Sequence, residues 1–201
     1  MMNLKLNSIK SKILIPTIVL IVVGMGLSST ISYVSSSSAL EESLVENIHN
    51  RSESAISILQ SWVRDRKLDV ANWSEQEIFG AALDDTFMGK AARKKVDTQL
   101  AKFKIEYGYY EDICLADTSG EIVAASNEGL VGKFKVNDRP YFKPAMEGKI
   151  SLTDVTKSKG TGQPVFFVSA PVKANGDVRG VLFSVVDVSA FSRAFIDPIK
   201  I

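Results

Sequence analysis

Sulfur and imidazole chemistry are nearly absent from this chain. Its 201 residues include one cysteine, Cys114, and one histidine, His49. A lone cysteine excludes an intramolecular disulfide and any zinc site built on several thiolates. A lone histidine likewise excludes multi-histidine metal sites. Charge of one sign is also missing. With 24 basic and 23 acidic residues the net charge is +1, so no global bias toward nucleic acid or acidic surfaces exists. The residue types needed for a hydrolytic site are not assembled either. No Gly-x-Ser-x-Gly elbow is present, no carboxylate pair lies at useful spacing, and His49 falls on an extended polar helix. No enzymatic activity, cofactor, metal or nucleic-acid partner is therefore expected.

No charged side chain occurs between Lys12 and Glu41. The apolar run 13–34 is long enough to cross a bilayer as a helix, which takes about 20 residues. Pro16 lies in its first turn, where a missing N–H matters least. Lys5, Lys10 and Lys12 precede the run and no basic residue follows until Arg51. The positive-inside bias places residues 1–12 in the cytoplasm and the remainder outside, in a single pass across the inner membrane. The run exceeds the usual core of a cleaved signal and lacks a clear A-x-A site after it, which favours a retained anchor.

Residues 39–74 change to amphipathic helical spacing. Leu40, Leu44, Ile48, Ala55, Leu59, Trp62, Val63, Val70 and Trp73 recur mostly at three- and four-residue intervals, without Pro or Gly. This stalk would reach about 50 Å at 1.5 Å per residue. Its stripe must be covered by a partner copy or by the domain it leads into, and a homodimer through the stalk and membrane helices is expected. Arg64, Asp65, Arg66 and Lys67 read as a solvated charge cluster on its outer face. A second amphipathic helix is predicted near 90–104.

After Gly108 the period falls to two. Strands are predicted over Tyr110–Ala116, Glu121–Ser126, Ile150–Ser158, Pro164–Lys173 and Val178–Val188. Asp117-Thr118-Ser119-Gly120 and Asn175-Gly176 supply hairpin turns. Cys114, among apolar neighbours, reads as a packed thiol. A last helix is predicted from Ser189, as N-cap, to about Ile196. The fold class is α+β, with an antiparallel five-stranded sheet covered by helices. Between the second and third strands lies an irregular segment holding Asp138-Arg139-Pro140-Tyr141-Phe142. Arg139 offers a flat fork of donors to a carboxylate, and Tyr141 and Phe142 can wall that fork from water.

The order of these features resembles the extracytoplasmic half of a bacterial transmembrane receptor with a double Cache (PAS-like) sensor module, most like a methyl-accepting chemotaxis protein. The resemblance rests on the anchor, the long helix, the Asp117–Gly120 turn, Arg139-Pro140-Tyr141-Phe142, Gly148, Thr153-Asp154-Val155, Pro171-Val172, Gly180 and Asp187. It implies a ligand-sensing region, residues 75–201 forming the membrane-distal sensor subdomain, with the chain ending before a second subdomain of a longer receptor. Histidine kinases and diguanylate cyclases carry the same module. In amino-acid-binding members an arginine and a nearby aromatic hold the ligand carboxylate, and an aspartate at the end of the last strand holds its amino group. Arg139, Tyr141 and Asp187 match those positions, with Phe134 and Phe142 beside them. Phe134 stands where the family favours a tyrosine, and Tyr141 where it favours tryptophan. The implied ligand is an amino acid or small carboxylate. The competing readings are an ion pair of Arg139 with Asp138 or Asp154, a capping role for Asp187, and an ectodomain that binds a protein instead.

Overall fold

The computed structural model describes residues 9–193 and divides after Ser57 into two compact units. Helix α1 spans Ile9–Ser74, so the predicted membrane and stalk helices form one uninterrupted helix. Its apolar stretch Ile13–Ser37 has a mean hydropathy of 2.1 and is long enough to cross a membrane. Pro16 falls inside the helix and not in its first turn, because the helix already runs from Ile9. Its missing N–H forfeits one backbone bond there. Leu40, Leu44 and Ile48 are exposed within the chain, and His49 pairs with Glu53 at 3.2 Å on the solvated surface.

From Ile58 onward the chain folds as the second unit. The α1 stripe becomes buried at Trp62, Val70 and Trp73. Helix α2 (Glu77–Ala82) and helix α3 (Phe87–Tyr107) follow, with Thr86 capping α3 through the Gly89 N–H and Gly108 closing it in a left-handed conformation. The basic run at the start of α3 is partly tied into the fold: Arg93 donates through Nε to the Ala82 carbonyl (2.9 Å).

Strands β1 (Tyr110–Asp117), β2 (Ile122–Ala125), β3 (Ser151–Leu152), β4 (Thr156–Lys157), β5 (Pro164–Ala174) and β6 (Asp177–Asp187) form one antiparallel sheet in the order β2-β1-β6-β5-β3, with β4 also on β5. Six strands stand where five were predicted, because 150–158 is split. Thr153 interrupts it: its hydroxyl accepts the Phe167 N–H (3.0 Å), while its own N–H reaches the Phe167 carbonyl (3.0 Å). A side chain has replaced the backbone acceptor, so the regular ladder stops. The β5–β6 hairpin turns through Asn175 and Gly176, both at positive φ, as a two-residue turn of this hand requires.

Alternation assigns the two faces of the sheet. Ile113, Leu115, Phe166, Val168, Ala170, Leu182 and Val186 pack on the helices around Val96, Leu100, Phe79 and the two tryptophans. Cys114, Ala116, Val181 and Phe183 face the other way, toward the segment between β2 and β3. Cys114 is buried there, and burial pushes its thiol pKa up, so it is a packed and unreactive group. The terminal helix α5 spans Val188–Phe191 and is capped by Asp187, not by Ser189. The remainder of the predicted helix, 194–196, lies outside the described residues.

One reading of the stalk is overturned. Arg64 and Asp65 are exposed, but Arg66 is buried at 7% exposure. It ion-pairs with Asp69 (Nε–Oδ2, 3.0 Å) and lies 3.9 Å above the Tyr109 ring. Four charges in a row hid a position whose neighbours four residues before and after are Trp62 and Val70, on the buried stripe.

Candidate ligand-binding site

The Asp117–Gly120 turn places the segment that carries the predicted site. The Asp117 carboxylate accepts from the N–H groups of Ser119 (2.8 Å) and Glu121 (3.0 Å), closing the turn. Gly120, at φ +82°, lies so close to Asn137 that an added Cβ would come within 2.5 Å of its backbone nitrogen. The Gly120 carbonyl accepts the Val136 N–H (2.8 Å), which fixes the start of the segment. Two tight turns follow: the Arg139 N–H reaches the Val136 carbonyl (3.0 Å) and the Phe142 N–H reaches that of Arg139 (3.1 Å). They deliver the chain into helix α4 (Phe142–Met146).

Tyr141 and Phe142 are both 4% exposed and pack on the sheet face of Cys114 and Phe183. The Tyr141 ring stacks on Phe167 (4.7 Å between centroids, 11° between planes) and tilts against Phe183 (4.9 Å). The Ser169 hydroxyl donates to the Tyr141 carbonyl (2.7 Å), pinning the backbone to β5. Burial is the main cause that raises the Tyr141 phenol pKa, so the group remains a neutral hydroxyl.

Arg139, the next polar neighbour, pairs with Asp138 (3.5 Å), with side-chain exposures of 42% and 73%. An ion pair this exposed is weak, so the guanidinium is available to a better acceptor. Asp187 ends β6 on the same sheet face, in register with Val165. One of its oxygens accepts the Ser189 N–H (2.8 Å), and the other pairs with Arg193 (3.0 Å). The Asp187 cap and the Arg139–Asp138 pair are therefore both present. Phe134 stands apart, 56% exposed and outside the buried cluster. Thus Tyr141 and Phe142 share one cluster, Arg139 adjoins it in the chain, Asp187 shares its sheet face, and Phe134 belongs to none of these.

Two polar groups of this face escaped the sequence reading. Asp112 pairs with Lys104 (2.9 Å), and Glu111 accepts from the hydroxyls of Ser158 (2.6 Å) and Thr161 (2.8 Å) in the β4–β5 turn. The glycines around Thr161 signalled a turn, and nothing local showed that it would close on β1. A separate open cleft of about 420 Å³ lies between α3 and β2, lined by Lys90, Lys94, Asp97, Glu121 and Glu128 among others. Cations and carboxylates are mixed there, and none of the predicted site residues lines it.

Comparison with solved structures supports the architecture. The sensor domain of the V. cholerae histidine kinase DctB superposes with a TM-score of 0.58 at 21% identity, over 72% of this chain and 57% of that one. The ligand-binding domain of the Pseudomonas aeruginosa amino acid chemoreceptor PctC, solved with GABA, gives 0.54 at 20% identity over 69% and 59%. That of the Pseudomonas fluorescens chemoreceptor CtaA, solved with L-serine, gives 0.53 at 20% identity over 70% and 58%. The chain thus spans less than two thirds of these structures. No curated protein matches it. The Cache domain model matches residues 29–201, and the chain belongs to the Cache domain family.

Proposed function

We propose that this chain is the extracytoplasmic ligand-sensing region of a transmembrane chemotaxis or signal-transduction receptor, binding an amino acid or small carboxylate. The observation that carries this reading is the burial of Tyr141 and Phe142, next in the chain to the half-exposed Arg139, on the sheet face on which Asp187 ends β6. A zwitterion needs a fixed cation and a fixed anion across a water-poor floor, where charge-assisted bonds gain strength. The fold supports it too, since the similar solved domains come from chemoreceptors and a histidine kinase. Residues 1–12 are cytoplasmic in this reading, 13–34 anchor the chain in the inner membrane, and 39–74 lead to the sensor over 75–201. The exposed stripe of Leu40, Leu44 and Ile48 suits a second copy of α1. A HAMP segment in the adjacent coding sequence would mark the chemotaxis branch, and a kinase or cyclase domain the alternatives.

The second reading, an ectodomain that binds a protein, is favoured by how far the Tyr141 ring is already packed on Phe167 and Phe183. A thermal-shift panel of amino acids and small carboxylates against the full chain in detergent separates the two. A true ligand at about 100 times its dissociation constant stabilises the domain by roughly 2.7 kcal/mol. A flat response across the panel would leave only the protein-binding reading.

A further inference from the structure

We propose that Glu111 is a second anionic contact of the pocket, beside Asp187, and restricts it to ligands that carry an ammonium group; this rests on the sensing reading above. Strand β1 contains a bulge. Tyr110 pairs with Val186 and Asp112 with Val185, so Glu111 is the extra residue. In a bulge two consecutive residues oppose one on the partner strand. Glu111 and Asp112 therefore both stand opposite Val185, which shares its face with Asp187 two residues on. The three carboxylates differ in how they are compensated. Asp112 has Lys104 at 2.9 Å and accepts from the Ser126 hydroxyl (3.2 Å). Asp187 has Arg193 at 3.0 Å and the Ser189 N–H. Glu111 is held by two hydroxyls alone, and among the described residues no cation pairs with it.

Those hydroxyls orient the carboxylate without neutralising it. Ser158, itself buried, accepts from the N–H groups of Gly160 (3.1 Å) and Thr161 (3.2 Å), which leaves its proton for Glu111. The same turn reaches the Asp187 cap, because the Ser189 hydroxyl donates to Gln163 Oε1 (3.4 Å). A carboxylate offers about four lone-pair sites and two are used here, so two remain for the three donors of an ammonium. A ligand carboxylate in the same place would meet like charge from both Glu111 and Asp187.

The test is calorimetry on the full chain in detergent, with L-serine, 4-aminobutyrate and succinate as probes. Wild type is expected to bind an amine-bearing probe in preference to succinate. Glu111→Gln keeps the shape and a hydrogen-bonding partner for both hydroxyls but removes the charge. It is expected to weaken the amine-bearing probe about tenfold or more, with Tm nearly unchanged. Ser158→Ala loosens the turn and keeps the charge, so it should preserve the preference over succinate. Preference of wild type for succinate, or unchanged amine affinity in Glu111→Gln, overturns the proposal and leaves the sensing reading standing. An equal loss of preference in Ser158→Ala also overturns it, because Glu111 would then act only as a fastener of the turn. Binding of none of the probes, joined to a flat wider panel, removes the sensing reading and this proposal with it.

Discussion

Asp69→Ala is expected to destabilise the Cache domain by about 3–5 kcal/mol, the cost of stranding a buried charge. Among the described residues Asp69 is the one carboxylate paired with Arg66, whose side chain is 9% exposed. The guanidinium is further enclosed by Tyr109, 3.9 Å beneath it, and by Trp62 at 5.4 Å. Both neighbouring phenols point at the same carboxylate: Tyr110 donates at 2.9 Å and Tyr109 at 3.4 Å. Burial is the main cause that raises both phenol pKa values, and the Asp69 charge adds to it, so both remain protonated donors through neutral pH. Removing Asp69 leaves one cation and two hydroxyls without their shared acceptor. Replacing both charges, as Arg66→Met with Asp69→Leu, is expected to recover much of the loss, since an apolar pair of similar volume does not carry the desolvation cost. Urea unfolding followed by tryptophan fluorescence measures both variants. A loss below about 1 kcal/mol for Asp69→Ala would mean that the pair behaves as a solvated one.

Trp73→Ala is expected to cost a similar amount, about 3–5 kcal/mol, by a different mechanism. Trp73 is 5% exposed at the end of α1. It stacks on Phe103 of α3 (4.4 Å, 12° between planes) and meets the edge of Tyr110 on β1 (5.4 Å). The indole is thus the filling between two helices and the first strand, and its loss leaves a cavity that three separate elements would have to close. Trp62 remains in this variant as the fluorescent reporter. Because Trp73 and Asp69 both contact Tyr110, the double variant should deviate from additivity by about 0.5–3 kcal/mol. Strict additivity would show that Tyr110 does not join the two contacts.

Much of the architecture is legible because it rests on local chemistry. Asn175-Gly176 specifies its hairpin through two positive φ angles, and Asp117-Thr118-Ser119-Gly120 closes on its own aspartate. Alternation gave β5 and β6, whose buried runs match the two faces of the sheet. Errors arose where a side chain met a partner far along the chain. Arg66 reads as solvated until Tyr109 is folded against it, and Thr153 reads as a strand residue until its hydroxyl takes the Phe167 N–H. The site shows the same division. Tyr141 and Phe142 were recognisable as rings that would be buried, from their own apolar character. Glu111 was not, since its meaning depends on a bulge and on a turn some 50 residues away.

On the proposed function, Arg139 leaves Asp138 for a ligand anion. The most direct test is a calorimetric titration of Arg139→Ala with whichever compound stabilises the wild-type chain. The binding heat is expected to disappear while the unfolding midpoint of the free protein stays within about 2 °C, as expected for loss of one exposed ion pair. Binding that persists at wild-type affinity would contradict it and place the ligand away from the Arg139–Tyr141 segment.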